Sequence, residues 1–90
     1  MKLRFLSDPG HGWLEVPYKT YLGSGIQASA WSYANPELTK VYLEEDCDAN
    51  LFIKAMNDLA ITVEFNNVNY NSDCKVRNYP RIPGHKEWKQ

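Results

Sequence analysis

The feature that most constrains this chain is a change of hydrophobic period. Before residue 46 apolar side chains recur at every second position. KLRFL at 2–6 puts Leu3 and Phe5 on one face, and WLEVP at 13–17 puts Leu14 and Val16 together with Trp13 and Glu15 opposite. TKVYLEE at 39–45 does the same with Val41 and Leu43 against Tyr42 and Glu44. Alternation of this kind marks strands with one buried face. In DCDANLFIKAMNDLA the spacing becomes three and four, at Ala49, Phe52, Ala55, Met56 and Leu59. That is one face of an α-helix over 48–59. The period of two then returns in ITVEF at 61–65, with Ile61, Val63 and Phe65 aligned. A helix that follows two pairs of strands and precedes another strand must bury its stripe on the sheet. The expectation is an α+β fold: an antiparallel sheet of four to five strands with one main helix packed on one face, a two-layer sandwich. The order is β-β-(short α)-β-β-α-β. Leu3, Phe5, Leu14, Val16, Val41, Leu43, Ile61 and Val63 form the face that meets the helix.

Punctuation between these segments supports that order. SDPGHGW at 7–13 reads as the corner of a hairpin. Pro9 presets φ, and Gly10 supplies the positive φ that a type II turn requires. Pro17 can open a short helix through YKTYL, closed by Gly23 or Gly25. ASAWSY at 28–33 reads as a third strand and ANPELT at 34–39 as a turn. Asp46 or Asp48 suits the cap of the main helix, since a carboxylate accepts from first-turn amides. Ninety residues make one domain. It is expected at 1–72, with 73–90 a largely irregular tail carrying one edge strand at KVRNY.

Charge and cysteine content narrow the function classes. Ten Lys plus Arg against eleven Asp plus Glu leave a net charge of −1. Nonspecific duplex binding needs a strong positive field, so a nucleic-acid partner is not expected. The same near-neutrality argues against a mimic of nucleic acid. No apolar run approaches the length that spans a bilayer, so no membrane partner is expected. Cys47 and Cys74, with no leader at Met1, read as reduced thiols of a cytoplasmic protein.

The candidate catalytic residues are His11, Asp8 and Glu44. A histidine can serve as general base or nucleophile near neutral pH, and Asp8 stands three residues before His11, across the turn, where it can orient the imidazole. The simpler use of Asp8 is to accept turn amides, while a second glycine beside His11 leaves room for close approach. Glu44, Glu45 or Asp46 from EEDCD would complete a hydrolase or nuclease if the turn and the strand end met. A capped helix accounts for the acidic run without a metal, and neither EF-hand nor paired-cysteine spacing is present. GSG at 23–25 is too short for a phosphate loop, so no cofactor is expected. Cys47 reads as a small, partly buried filler near a helix start. The candidate binding residues are His11, Trp13, Trp31, Tyr33 and Tyr42. The aromatics among them fall on the second side of the sheet, where they either cover that face or form a recognition platform. Lys75, Arg77, Arg81, Lys86 and Lys89, interleaved with Tyr79 and Trp88, read as a solvated basic edge.

SDPGHGWLEV, followed by VYLEEDCDANLFIKA, resembles a group of small uncharacterised bacteriophage and prophage proteins. That group carries a DPGHGW loop and a YLEEDCD strand–helix junction, and the match covers roughly residues 3–60. The resemblance implies a phage-encoded accessory protein in the cytoplasm of the host cell, and it carries no activity with it. Small phage accessory proteins often bind and disable a host factor. A non-enzymatic protein that binds a host protein, an inhibitor of a defence or regulatory factor, is therefore the leading expectation. The alternatives are a binder of a small ligand such as a nucleotide, and a small hydrolase or nuclease using His11.

Overall fold

The computed structural model describes residues 1–86. Its strands are β1 (Lys2–Ser7), β2 (Gly12–Pro17), β3 (Tyr33–Ala34), β4 (Lys40–Glu44) and β5 (Glu64–Asn69), and its α-helices are α1 (Tyr18–Ser24) and α2 (Asp48–Asp58). A short 3-10 helix follows at Lys75–Asn78. The strands form one sheet in the order β3-β4-β2-β1-β5, and both α-helices bury side chains against the same face. The expected α+β class and the expected core face are observed. Leu14, Val16, Val41 and Leu43 are fully buried against Phe52 and Met56 of α2 and Tyr21 of α1, with Leu3, Phe5, Ile61 and Val63 packed at the margin.

The sheet is mixed rather than antiparallel throughout. β1 pairs with β2, β2 with β4 and β4 with β3 in antiparallel fashion, but β5 lies parallel to β1. β4 and β5 therefore run the same way, and α2 is the crossover that parallel strands require. The last strand also starts later than the period of two suggests. It begins at Glu64, where the Glu64 N–H donates to the Met1 carbonyl at 2.8 Å. Ile61 and Val63 pack on the core from the connection before it. The length of its partner, rather than its own pattern, sets where β5 begins.

Other boundaries shift for local reasons. Gly25 closes α1 in the left-handed conformation at φ 78. The expected strand at 28–33 shrinks to Tyr33–Ala34, because Ser29 and Ser32 bond to Asp48 instead of to a neighbouring strand.

The C-terminal segment supplies a third layer. Cys74 and Val76 are buried against Leu6, Trp13 and Tyr42 on the sheet face opposite the helices. The expected edge strand at KVRNY is the 3-10 helix, which lies on that face. The chain then wraps round the β3 edge. The Ala34 N–H donates to the Pro80 carbonyl at 2.9 Å, and Tyr33 bridges to Arg81. Ile82 finally enters the helix-side core with no exposed surface. The readings for Trp88 and Lys89 lie outside the described residues.

Candidate functional site

The SDPGHGW corner is organised by the side chain of Asp8. Its carboxylate is fully buried and accepts from the Gly10 and His11 amides at 3.0 Å each. It also accepts from the Cys74 amide at 2.9 Å, and from Arg77 Nε at 2.6 Å and Nη2 at 2.7 Å. The Arg77 guanidinium, helped by these amides and opposed by burial, holds the carboxyl well below the usual carboxylate range. Asp8 thus joins the turn to the C-terminal segment and does not engage the imidazole of His11. The ring of His11 is exposed, its centroid 6.2 Å from that of Trp13.

Both glycines of the corner have packing reasons. Gly10 does not adopt positive φ, so the turn is not the type II form expected. The Asp8 amide instead donates to the His11 carbonyl at 2.9 Å. A methyl group on Gly10 would sit 2.8 Å from Arg77 Nη2, and one on Gly12 would sit 2.7 Å from the Phe5 ring. The second glycine makes room for Phe5 rather than for a ligand beside His11.

The acidic run divides into structural roles. Glu44 accepts from the amides of Asp46, Cys47 and Asp48, at 2.9, 2.6 and 3.4 Å, and so closes the N-terminus of α2. The cap therefore comes from Glu44 and not from Asp46 or Asp48. Asp48 is buried and turns inward. Its Oδ2 accepts from the Ser29 amide at 2.9 Å and from the hydroxyls of Ser29 at 2.7 Å and Ser32 at 2.5 Å. Ser32 in turn accepts from the Glu44 amide at 2.9 Å. Glu45 approaches the corner: its amide donates to the Gly12 carbonyl at 3.1 Å. Cys47 is an exposed thiol rather than a partly buried filler, Cys74 is a buried one, and both are free.

Of the aromatic candidates, Trp13, Tyr33 and Tyr42 lie on the second sheet face, but not as an open platform, while Trp31 sits in the turn before β3 and not in that cluster. Trp13 and Tyr42 are buried, only 2 % and 6 % exposed, because the C-terminal segment covers them. Arg77 stacks over Trp13 at 5.3 Å and Arg81 over Tyr33 at 4.7 Å, each a cation held against a ring face. Tyr79 packs on Tyr42 with centroids 5.5 Å apart. Tyr33 is half-buried, and Trp31 is 57 % exposed. Of the five binding candidates, His11 and Trp31 present the most surface.

Beside the covered aromatics the same face carries a groove of about 610 Å³, whose walls include Arg4, Glu15, Lys40, Tyr42, Tyr70 and Lys75. Glu15 is the buried charge at its centre, gripped by Arg4 Nε at 2.9 Å and Nη2 at 3.0 Å, with Lys40 Nζ at 3.6 Å. Burial pushes the Glu15 carboxyl up, and Arg4, Tyr42 and Lys40 together outweigh it and bring it below its ordinary value. Burial and the Glu15 carboxylate push the Tyr42 phenol well above its ordinary value. Glu15 and Arg77 organise the second face without belonging to either motif of the sequence. Arg4 and Glu15 do leave a signal: both lie opposite the apolar face on strands predicted to pair. Arg77 leaves none, since its partner lies 69 positions away.

The chain matches no known family, no curated protein and no solved structure.

Proposed function

We propose that this chain is a small phage accessory protein that acts by binding a protein in the cytoplasm of a bacterial host, without catalysis of its own. The observation that carries the reading is how Asp8, Glu44 and Asp48 of its two motifs are used. Asp8 is held by Arg77 and three amides, Glu44 by the first turn of α2, and Asp48 by two serines. His11 is left without an acid–base partner among them, yet stands exposed on a corner that Asp8 makes rigid. A rigid corner with an exposed ring loses little conformational entropy when a partner closes over it. Trp31 adds the residue type that most often anchors such contacts. The resemblance of the DPGHGW and YLEEDCD segments to small phage proteins supplies the setting, and a host defence or regulatory factor is the class of target.

The test is affinity capture from bacterial lysate with the wild type and with a His11→Ala/Trp31→Ala variant of equal melting temperature. A protein retained by the wild type and lost by the variant supports the reading; identical capture by both refutes it. The groove around Glu15 favours a second reading, a small anionic ligand such as a nucleotide held by Arg4, Lys40 and Lys75 against tyrosine rings. A thermal-shift screen against nucleotides separates the two, because a ligand of the folded state raises the melting temperature without any protein partner.

A further inference from the structure

The C-terminal layer covers only part of the second sheet face. Cys74 and Val76 close over Leu6, Trp13 and Tyr42. The strands also present Arg4, Glu15 and Lys40 on this face, and these form the floor of the groove. The layer contributes Lys75 and Tyr79 to its walls, and the turn between β3 and β4 contributes Pro36 and Glu37. Lys75 reaches the groove from the segment that Asp8 ties down through Cys74 and Arg77, so the SDPGHGW corner holds one wall in place.

The lining is rich in unused donors. Buried Glu15 fixes Arg4 through Nε and Nη2, which leaves Nη1 without a partner among the described residues. Lys40 Nζ stands 3.6 Å from the same carboxylate and donates to no described residue. The Lys75 side chain has neither an ion pair nor a hydrogen bond among the described residues. Glu15 thus cancels one of three positive charges. The other carboxylate of the lining, Glu37, lies on the exposed turn and is also unpaired among the described residues. The Tyr79 ring is already packed on Tyr42, whereas Tyr70 is 37 % exposed.

We propose that the groove binds a nucleoside monophosphate, its phosphate on Arg4, Lys40 and Lys75 and its base against the Tyr70 ring. The proposal rests on the second reading of the groove, as a site for a small anion, and names the anion. The two positive charges that Glu15 leaves uncancelled match a phosphate monoester, which carries nearly two negative charges at neutral pH, better than a phosphodiester, which carries one. The volume, about 610 Å³, lies in the range of sites for whole small molecules and leaves room beyond a phosphate. A phenol ring stacks a planar base, and the Glu37 carboxylate accepts from a sugar hydroxyl.

Calorimetric titration of the full chain with monophosphates of each common nucleoside tests the assignment. The comparisons are the parent nucleoside, inorganic phosphate and the cyclic monophosphate of the same base, which lack the phosphate, the base and the second negative charge in turn. At least one monophosphate is expected to bind, and each comparison to bind about tenfold more weakly or worse. Lys75→Ala is expected to keep the wild-type melting temperature and to weaken binding about tenfold, whereas Lys54→Ala on α2 should leave it unchanged. Tyr70→Ala should lower the affinity toward that of inorganic phosphate. The proposal is overturned if no monophosphate binds, if the cyclic compound or inorganic phosphate binds equally well, or if binding survives Lys75→Ala intact. Citrate that binds through Lys75 while every monophosphate fails overturns the assignment and leaves the second reading standing; failure of citrate as well removes both.

Discussion

Replacing Asp8 by alanine should loosen the C-terminal layer from the sheet. The carboxylate accepts five hydrogen bonds, from the amides of Gly10, His11 and Cys74 and from two nitrogens of Arg77. Hydrogen bonds to a charged group contribute roughly 1.5–3 kcal/mol each, and losing one partner of a buried pair costs about 3–5 kcal/mol. The loss here should sit below that range. The Gly10 and His11 amides are near solvent, and the Arg77 side chain is 29 % exposed, so water can take over part of the carboxylate's role. A net destabilisation of about 2–3 kcal/mol follows, which for a domain of this size lowers the melting temperature by roughly 10–20 °C. The pH dependence adds a second signature. The folded carboxyl is depressed below its unfolded value, so its stabilisation is fully present above the unfolded pKa of about 4 and is lost as pH falls through the folded one. Wild-type stability should therefore fall more steeply below about pH 4 than that of Asp8→Asn. Urea melts across a pH series, with amide exchange at Cys74 and Val76, measure both effects. A variant within about 0.5 kcal/mol of wild type, with those amides still protected, would refute the argument.

Four further substitutions probe the rest of the framework. Gly12→Ala forces a methyl group against the Phe5 ring and should cost about 1–3 kcal/mol by chemical denaturation, whereas His11→Ala beside it should stay within about 0.5 kcal/mol. Asp48→Ala strands the hydroxyl of buried Ser32 and releases Ser29, with an expected loss of about 2–3 kcal/mol and faster exchange of the Ser29 amide. Ile82→Ala should cost about 2–5 kcal/mol, the value of a core position; a neutral result would mean that the segment after residue 80 does not belong to the core.

Much of the scaffold was legible in the order of the residues. The period-two segments around Leu14 and Val41 and the three-four spacing from Ala49 to Leu59 correspond to β2, β4 and α2, with the helix ending one residue earlier than expected. The candidate site was less legible. Asp8 and Glu44 stand out in the sequence for their chemistry, and both hold backbone amides in the fold. The alternation around Trp13 and Tyr42 puts both on the face opposite the helices, but nothing local to them reveals that Val76 and Tyr79 lie on top.

The sequence alone determined that β1, β2 and β4 are strands and α2 a helix, and which face of each is apolar, because these follow from the spacing of side chains along a few turns or pleats. Tertiary structure decided the parallel placement of β5, the closing of the second face by residues 74–79, and the uses of Asp8 and Asp48. Those outcomes depend on partners far away in the chain: Asp8 meets Cys74 and Arg77 across 66 and 69 positions. A buried carboxylate takes whichever donors the packing brings to it, and no local pattern names them.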